Sequence, residues 1–226
     1  MRLMLGGAAG DRPAAWAQAH WALLSVGVAE RTRCFSMLVP EEQSRAAQFR
    51  RATDQERYVV RRGRLRELLG AHLDCGPRQV ALAYNGFGKP YAADAADLDF
   101  SISHSCGLAF YVIARGAQVG CDIEWRRPRL ATKEVAEQFF SKREVELLER
   151  VAPGQWLRAF FNCWTRKEAF VKALGLGVSY PLKAFDVSVA PGEPAALLRG
   201  PGGWSIRSFE PLAGLHVAIA ARRHEG

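Results

Sequence analysis

Asp122 and Glu124 flank Ile123 in the stretch Val119-Gly120-Cys121-Asp122-Ile123-Glu124, whose polarity alternates as a short strand does. Period-two geometry puts both carboxylates on one face. Further on, Phe160 to Lys172 has the composition of a helix rich in large apolar residues, and in it Trp164, Glu168 and Lys172 recur at i, i+4 and i+8. An acid among so many apolar groups needs a partner. Should Glu168 meet Asp122 and Glu124 in space, each close pair of ionised carboxylates repels by about 4 kcal/mol at about 4 Å and an effective dielectric of about 20. A hard divalent ion removes that cost. All-oxygen ligands favour magnesium, which fills its remaining positions with water and substrate phosphate oxygens. The same residues also allow a plainer arrangement, in which the acids form a solvated strand face and Glu168 and Lys172 a surface ion pair.

The elements that must hold these groups can be read around them. Pro40 to Gly70 reads as helical, with Pro40 near the start, Glu41 and Glu42 in the first turn and Gly70 as a stop. Val80 to Tyr84, Phe100 to Ile102 and Leu108 to Ala114 have strand character, and Asn85-Gly86-Phe87-Gly88-Lys89-Pro90 is dense in turn formers. Helices are expected over Thr132 to Val151 and Gln155 to Leu174, then strands over Phe185 to Val189 and Leu215 to Ala221. A faint repeat runs through this order. The segment ending at Gly70 resembles the one ending at Gly175, 105 residues on, and the apolar run after Gly107 resembles that after Gly214, 107 residues on. Each match is weak alone, and together they suggest an α+β plan used twice, with two similar halves, 1–117 and 118–226, joined near Ala117.

Composition narrows the field. An apolar fraction of 49% over 226 residues suits a packed globular core, which excludes general disorder. The formal charge of +8 raises the local concentration of polyanions, whether nucleic acid, nucleotide or acidic protein. No helix-turn-helix, zinc-finger or aromatic RNA-binding signature accompanies the charge, so no specific nucleic-acid partner is expected. The five cysteines include no C-x-x-C pair and suggest free thiols in a reducing compartment. Gly6 to Asp11 interrupt the apolar N-terminus before a signal sequence is complete, and no segment approaches a membrane span. A cytoplasmic protein with no membrane partner is expected.

Leu98 to Ser105 (Leu-Asp-Phe-Ser-Ile-Ser-His-Ser), then Val119 to Glu124, then Trp164 to Lys172 (Trp-Thr-Arg-Lys-Glu-Ala-Phe-Val-Lys), resembles the motif series of the surfactin-synthetase-activating type of 4′-phosphopantetheinyl transferase. Gly88-Lys89-Pro90 is similar to that family's coenzyme-binding turn, and Tyr180 to Phe185 to its segment after the catalytic helix. The likeness spans roughly Pro40 to Val189. It implies the family's fold, two α/β halves related by a pseudo-twofold in one monomeric chain, with the site in the cleft between them. It also implies transfer of the phosphopantetheine arm of coenzyme A to a serine of an apo acyl or peptidyl carrier protein. Asp122, Glu124 and Glu168 are then the Mg2+ ligands, Glu168 also the base, and Lys172 the group that neutralises the attacked phosphate. His104 and Ser103 are expected on coenzyme phosphates, Arg57, Arg62 and Lys89 at the nucleotide end, and Arg45 on the 3′-phosphate. The sequence departs from the family pattern at Cys121, at Ser101 where Asn is common, and at Glu42, which replaces a basic residue. The Arg126-Arg127-Pro128-Arg129 run is either a solvated loop or a surface that meets an acidic carrier. Two other readings stand beside this one: a basic nucleic-acid binder, and a homologue without activity that sequesters coenzyme or carrier. The retained Asp122, Glu124, Glu168 and Lys172 argue against the last.

Overall fold

The computed structural model describes residues 3–4 and 17–224, so the expectation placed on Gly6 to Asp11 lies outside the described residues. In chain order the strands are β1 (Leu3–Met4), β2 (Ala17–Leu23), β3 (Leu82–Tyr84), β4 (Pro90–Ala92), β5 (Leu98–Ser105), β6 (Leu108–Arg115), β7 (Ala117–Trp125), β8 (Asp186–Val187), β9 (Leu197–Arg199), β10 (Ser205–Leu212) and β11 (Leu215–Arg223). The helices are α1 (Val28–Ser36), α2 (Pro40–Ala47), α3 (Ala52–Leu73), α4 (Lys133–Phe139), α5 (Lys142–Glu149) and α6 (Trp156–Leu174).

Two antiparallel sheets, β1-β2-β6-β5 and β10-β11-β7, form the centre, and the alternation of their middle strands explains how they stack. Ala109, Tyr111 and Ile113 of β6 face a core made with α1 and α3, while Phe110, Val112 and Ala114 face the second sheet. In β11 the same division recurs: Ala218 and Ala220 pack under α6, and Val217, Ile219 and Ala221 meet the first sheet. Both strands are buried on both faces, which is why they read as unbroken apolar runs. The layers are therefore helix, sheet, sheet, helix. Strand β2 leads into three helices and returns through β5 and β6 to pair with β6; β7 leads into three helices and returns through β10 and β11 to pair with β11. One plan is thus used twice, with a pseudo-twofold between the sheets, and the repeated segments of the sequence fall on α3 and α6 and on β6 and β11.

Several boundaries differ from expectation. The helix read over 40–70 is two helices, broken at 48–51, and α3 runs past Gly70 to end at Asp74 with a left-handed φ of 51°. Gly70 serves a close approach instead: a Cβ there would lie 2.7 Å from the Cys75 carbonyl oxygen. The helix read over 132–151 is also two. Thr132 caps α4 by accepting from the Val135 N–H, and Ser141 starts α5 in a reciprocal capping box with Glu144. Only Asp186–Val187 of the strand expected over 185–189 is paired. All five cysteines are free, and Cys106 is exposed rather than packed. Among the described residues no helix is long and apolar enough to cross a membrane.

Candidate active site

Strands β5 and β7 belong to different sheets and lie side by side in parallel, joined through side chains. Asp99 Oδ2 accepts from the Val119 N–H at 2.8 Å and Ser101 Oγ from the Cys121 N–H at 3.0 Å. Ser103 Oγ donates to Asp122 Oδ1 at 2.8 Å, and Ser105 Oγ donates to Glu124 Oε2 at 2.8 Å. Val119, Cys121 and Ile123 pack between the sheets, so Gly120, Asp122 and Glu124 turn to the other face, where α6 lies. Gly120 is what lets α6 come so close. A Cβ at that position would sit 2.0 Å from the Ala169 carbonyl oxygen and 2.2 Å from the Ala173 nitrogen. Bare backbone on β7 thus brings the Glu168 and Lys172 turns of α6 against the acid strand.

Lys172 Nζ lies 2.6 Å from Asp122 Oδ1 and 3.1 Å from Ser103 Oγ. Burial opposes its charge, but the Asp122 carboxylate outweighs that and holds the ammonium above its ordinary pKa. Asp122 Oδ2 is buried with no hydrogen-bond partner. Glu124 has Oε2 bonded to Ser105 and, at 2.8 Å, to Arg127. Burial raises the Glu124 carboxyl, and Asp122 adds to it. Burial likewise raises Glu168, the charges of Asp122 and Glu124 push the same way, and Lys172 offsets part of the effect. The three expected metal ligands therefore share one field. Among the described residues no three His, Cys, Asp or Glu side chains stand at metal-ligand spacing; Lys172 and Ser103 hold one Asp122 oxygen, and Ser105 and Arg127 one of Glu124. The donor set nonetheless fits a hard cation: all carboxylate oxygen, with a buried Asp122 oxygen still unsatisfied.

Beside this cluster opens a cleft of about 410 Å³, walled by Arg45, Arg61 and Arg62 from the helices, the 87–90 turn, His104 and Lys172. A second cleft of about 390 Å³ shares Tyr58, Arg61 and His104 with it and is bounded by Arg57 and Arg127. The arginines of α3 divide by partner. Arg62 bonds Glu42 and the Tyr84 hydroxyl, Arg66 bonds Glu42 at 2.5 Å, and Arg64 is paired to Glu30 and Glu67. The Arg61 guanidinium has no hydrogen-bond or ion-pair partner among the described residues, though the main-chain carbonyl accepts from the Tyr111 hydroxyl, and burial lowers its pKa. Arg57 Nε is buried and unbonded. Among the described residues the Arg45 guanidinium meets only the Tyr58 ring, 5.9 Å away. His104 is exposed to the cleft, yet the wall behind it and then Arg61, Lys172 and Arg57 lower its pKa to about 4. A cleft with so much uncompensated positive charge suits a polyanion.

Most of the expected site residues meet here, with three differences of detail. Lys89 lines the cleft, but its ammonium is tied to Asp99 at 2.7 Å and to the carbonyls of Val119 and Ala173. Ser103 turns under Asp122 rather than into the cleft. Arg62 is tied to Glu42, the residue that departs from the family pattern, which it shares with Arg66 and which is buried and held ionised by Arg66 and Arg62 against its own desolvation. Arg61, with Tyr58, was not singled out by sequence. The 126–129 loop is partly engaged: Arg126 bonds His216 and Glu210, and Arg127 bonds Glu124, while Arg129 is exposed.

Comparison with known proteins agrees with this arrangement. Residues 118–220 match the 4′-phosphopantetheinyl transferase superfamily, and residues 27–116 match the domain described as 4′-phosphopantetheinyl transferase, N-terminal. The chain is 36% identical over 186 residues to 4′-phosphopantetheinyl transferase HetI of Nostoc sp., covering 81% of this chain and 78% of that one. It is 30% identical to 4′-phosphopantetheinyl transferase Sfp of Bacillus subtilis, over 70% of this chain and 69% of that one. An L-aminoadipate-semialdehyde dehydrogenase-phosphopantetheinyl transferase of Eremothecium gossypii is 32% identical, over 83% and 67%. The two matched regions fall one on each half of the fold, as in a two-half transferase. The chain belongs to the 4′-phosphopantetheinyl transferase superfamily and is an enzyme of the holo-[acyl-carrier-protein] synthase type.

Proposed function

We propose that the protein moves the 4′-phosphopantetheine arm of coenzyme A to a serine of an apo acyl or peptidyl carrier protein, with Mg2+, at the junction of β5, β7 and α6. The observation that carries the reading is the pairing of a buried acid cluster, one oxygen unsatisfied, with an adjoining cleft of unpaired arginines. Arg45, Arg57, Arg61 and His104 bind the bisphosphorylated nucleotide end, while Arg62, fixed by Glu42, and Lys89, fixed by Asp99, shape the cleft wall. Asp122, Glu124 and Glu168 hold the divalent cation, which supplies charge neutralisation at the pyrophosphate. The carrier serine oxygen attacks the phosphorus that bears the pantetheine arm, and its proton passes to Glu168. The bond that breaks joins that phosphorus to the bridging oxygen, and the electron pair leaves on adenosine 3′,5′-bisphosphate. Lys172 stabilises the charge that builds on the phosphoryl oxygens.

The two halves divide this work, 1–117 supplying most nucleotide contacts and 118–226 the acids. Because both lie in one chain, a monomer is complete. The free thiols and the donor fit a cytoplasmic enzyme. The test follows adenosine 3′,5′-bisphosphate released from coenzyme A by chromatography. Release that needs both carrier and Mg2+ supports the reading; release without carrier, or undiminished by a chelator, overturns it.

A further inference from the structure

The acid strand is in the C-terminal half, but the hydroxyls that orient its carboxylates come from the other half. Asp99, Ser101, Ser103 and Ser105 alternate along β5, so all four side chains point at β7, and they divide into two kinds of contact. Asp99 and Ser101 meet only main-chain N–H groups on β7. Ser105 does both things at once: its Oγ accepts from the Trp125 N–H at 3.3 Å and donates to Glu124 Oε2 at 2.8 Å. It is buried, 5% exposed, at the floor of the second cleft. The consequence lies in which oxygen is left. Ser103 and Lys172 take Asp122 Oδ1 and leave Oδ2 without a partner, and Ser105 and Arg127 take Glu124 Oε2 and leave Oε1 with none among the described residues. One oxygen of each carboxylate is anchored and the other is free.

We infer that Ser105 is a positioning residue of the transferase reaction: by fixing Oε2 it sets the rotamer of Glu124 and presents Oε1 to the divalent cation. Ser103 stands in the same relation to Asp122 Oδ1. The inference rests on the metal reading proposed above and adds to it which residue fixes the ligand. Arg127 also reaches Oε2, but from an exposed loop side chain, so Ser105 is the rigid half of the anchor. Hydrogen bonds of this kind orient metal ligands, and their loss commonly weakens metal binding by about 10- to 100-fold.

The test titrates Mn2+ into the full chain saturated with coenzyme A and follows free Mn2+ by electron paramagnetic resonance. Ser105→Ala is expected to raise the Mn2+ dissociation constant about tenfold or more and to raise the metal concentration for half-maximal transfer in step, with KM for coenzyme A little changed. Ser101→Ala is the control, since it removes a seam bond of the same strand with no carboxylate attached; it is expected to lower the melting temperature while Mn2+ affinity stays as in wild type. Ser105→Thr, which keeps the hydroxyl, is expected to restore affinity. Should Ser105→Ala fail to fold, Ser105→Cys, close in volume but a weak donor, gives the same reading. Wild-type Mn2+ affinity in the Ala or Cys variant overturns the inference, as does equal weakening in Ser101→Ala. Failure of the wild-type protein to bind Mn2+ at all overturns the metal reading itself.

Discussion

At Glu168 burial, then the charges of Asp122 and Glu124, raise the carboxyl, and a divalent cation held by the three acids would relieve that repulsion. Glu168→Gln keeps the shape and removes both the base and a metal oxygen, so transfer is expected to fall by at least about 10²- to 10⁴-fold while the melting curve stays cooperative. Appreciable turnover in that variant contradicts the assigned role. Arg61 gives a different signature. Its guanidinium is unpaired and faces the cleft, so Arg61→Gln is expected to raise KM for coenzyme A about tenfold or more with kcat nearly unchanged, the mark of lost uniform binding. Arg64→Gln, on a side chain already shared by Glu30 and Glu67, leaves both constants as they are. This contrast also shows what the sequence held. Asp122, Glu124, Glu168 and Lys172 were legible because strand and helix periods put them on common faces and because the three motif blocks that carry them resemble the transferase family's. Arg61 was not, because in a run of arginines only the tertiary placement of Glu42, Glu30 and Glu67 separates matched charges from free ones.

At the scale of elements the close contact of β7 with α6 depends on Gly120. Gly120→Ala places a methyl inside the van der Waals radius of the α6 backbone, which cannot yield as a flexible side chain can. The expected result is a loss of about 1–3 kcal/mol in urea unfolding, or more, together with loss of transfer as Glu168 and Lys172 move off β7. An active, equally stable variant contradicts the claim that this approach sets the site. Strands β6 and β11 and helix α6 were readable because packing and local pattern agree there. The break between α4 and α5 was missed although Ser141 and Glu144 form a capping box, because the apolar period continues across Phe139 and Phe140. Strand β10 was missed for the opposite reason: at the sheet edge its burial is irregular, so Ser205–Leu212 shows no clean alternation.

At the scale of the whole molecule, a buried histidine cross-links three parts of the second half, β11, the loop after β7 and α6. His216, buried in β11, accepts from Arg126 Nε at 2.8 Å through Nε2 and so carries its proton on Nδ1, toward Asn162 Oδ1 of α6. Burial first, then Arg126, lowers its pKa to about 4. In the unfolded chain this imidazole protonates below its ordinary value of about 6.5 while the folded form stays neutral, so stability falls with pH between those two values and levels off below the lower one. The loss from this group is at most about 3 kcal/mol. Urea unfolding across pH 7.5 to about 4.5 checks it: His216→Gln, which does not titrate, is expected to show a shallower decline, and an unchanged slope contradicts the assignment. The repeat legible in the sequence marked α3 with α6 and β6 with β11, but not the β5–β7 seam on which the site depends, since the period-two run Asp99, Ser101, Ser103, Ser105 reads as an ordinary polar strand face and does not say which strand it meets. The central claim is covalent transfer at that seam. Intact-mass measurement of apo carrier proteins incubated with the protein, coenzyme A and Mg2+ tests it directly. The account predicts a gain of roughly 340 Da on a carrier, absent with a chelator and absent with Glu168→Gln; an undiminished gain in either control, or no gain on any carrier across a broad panel, contradicts it.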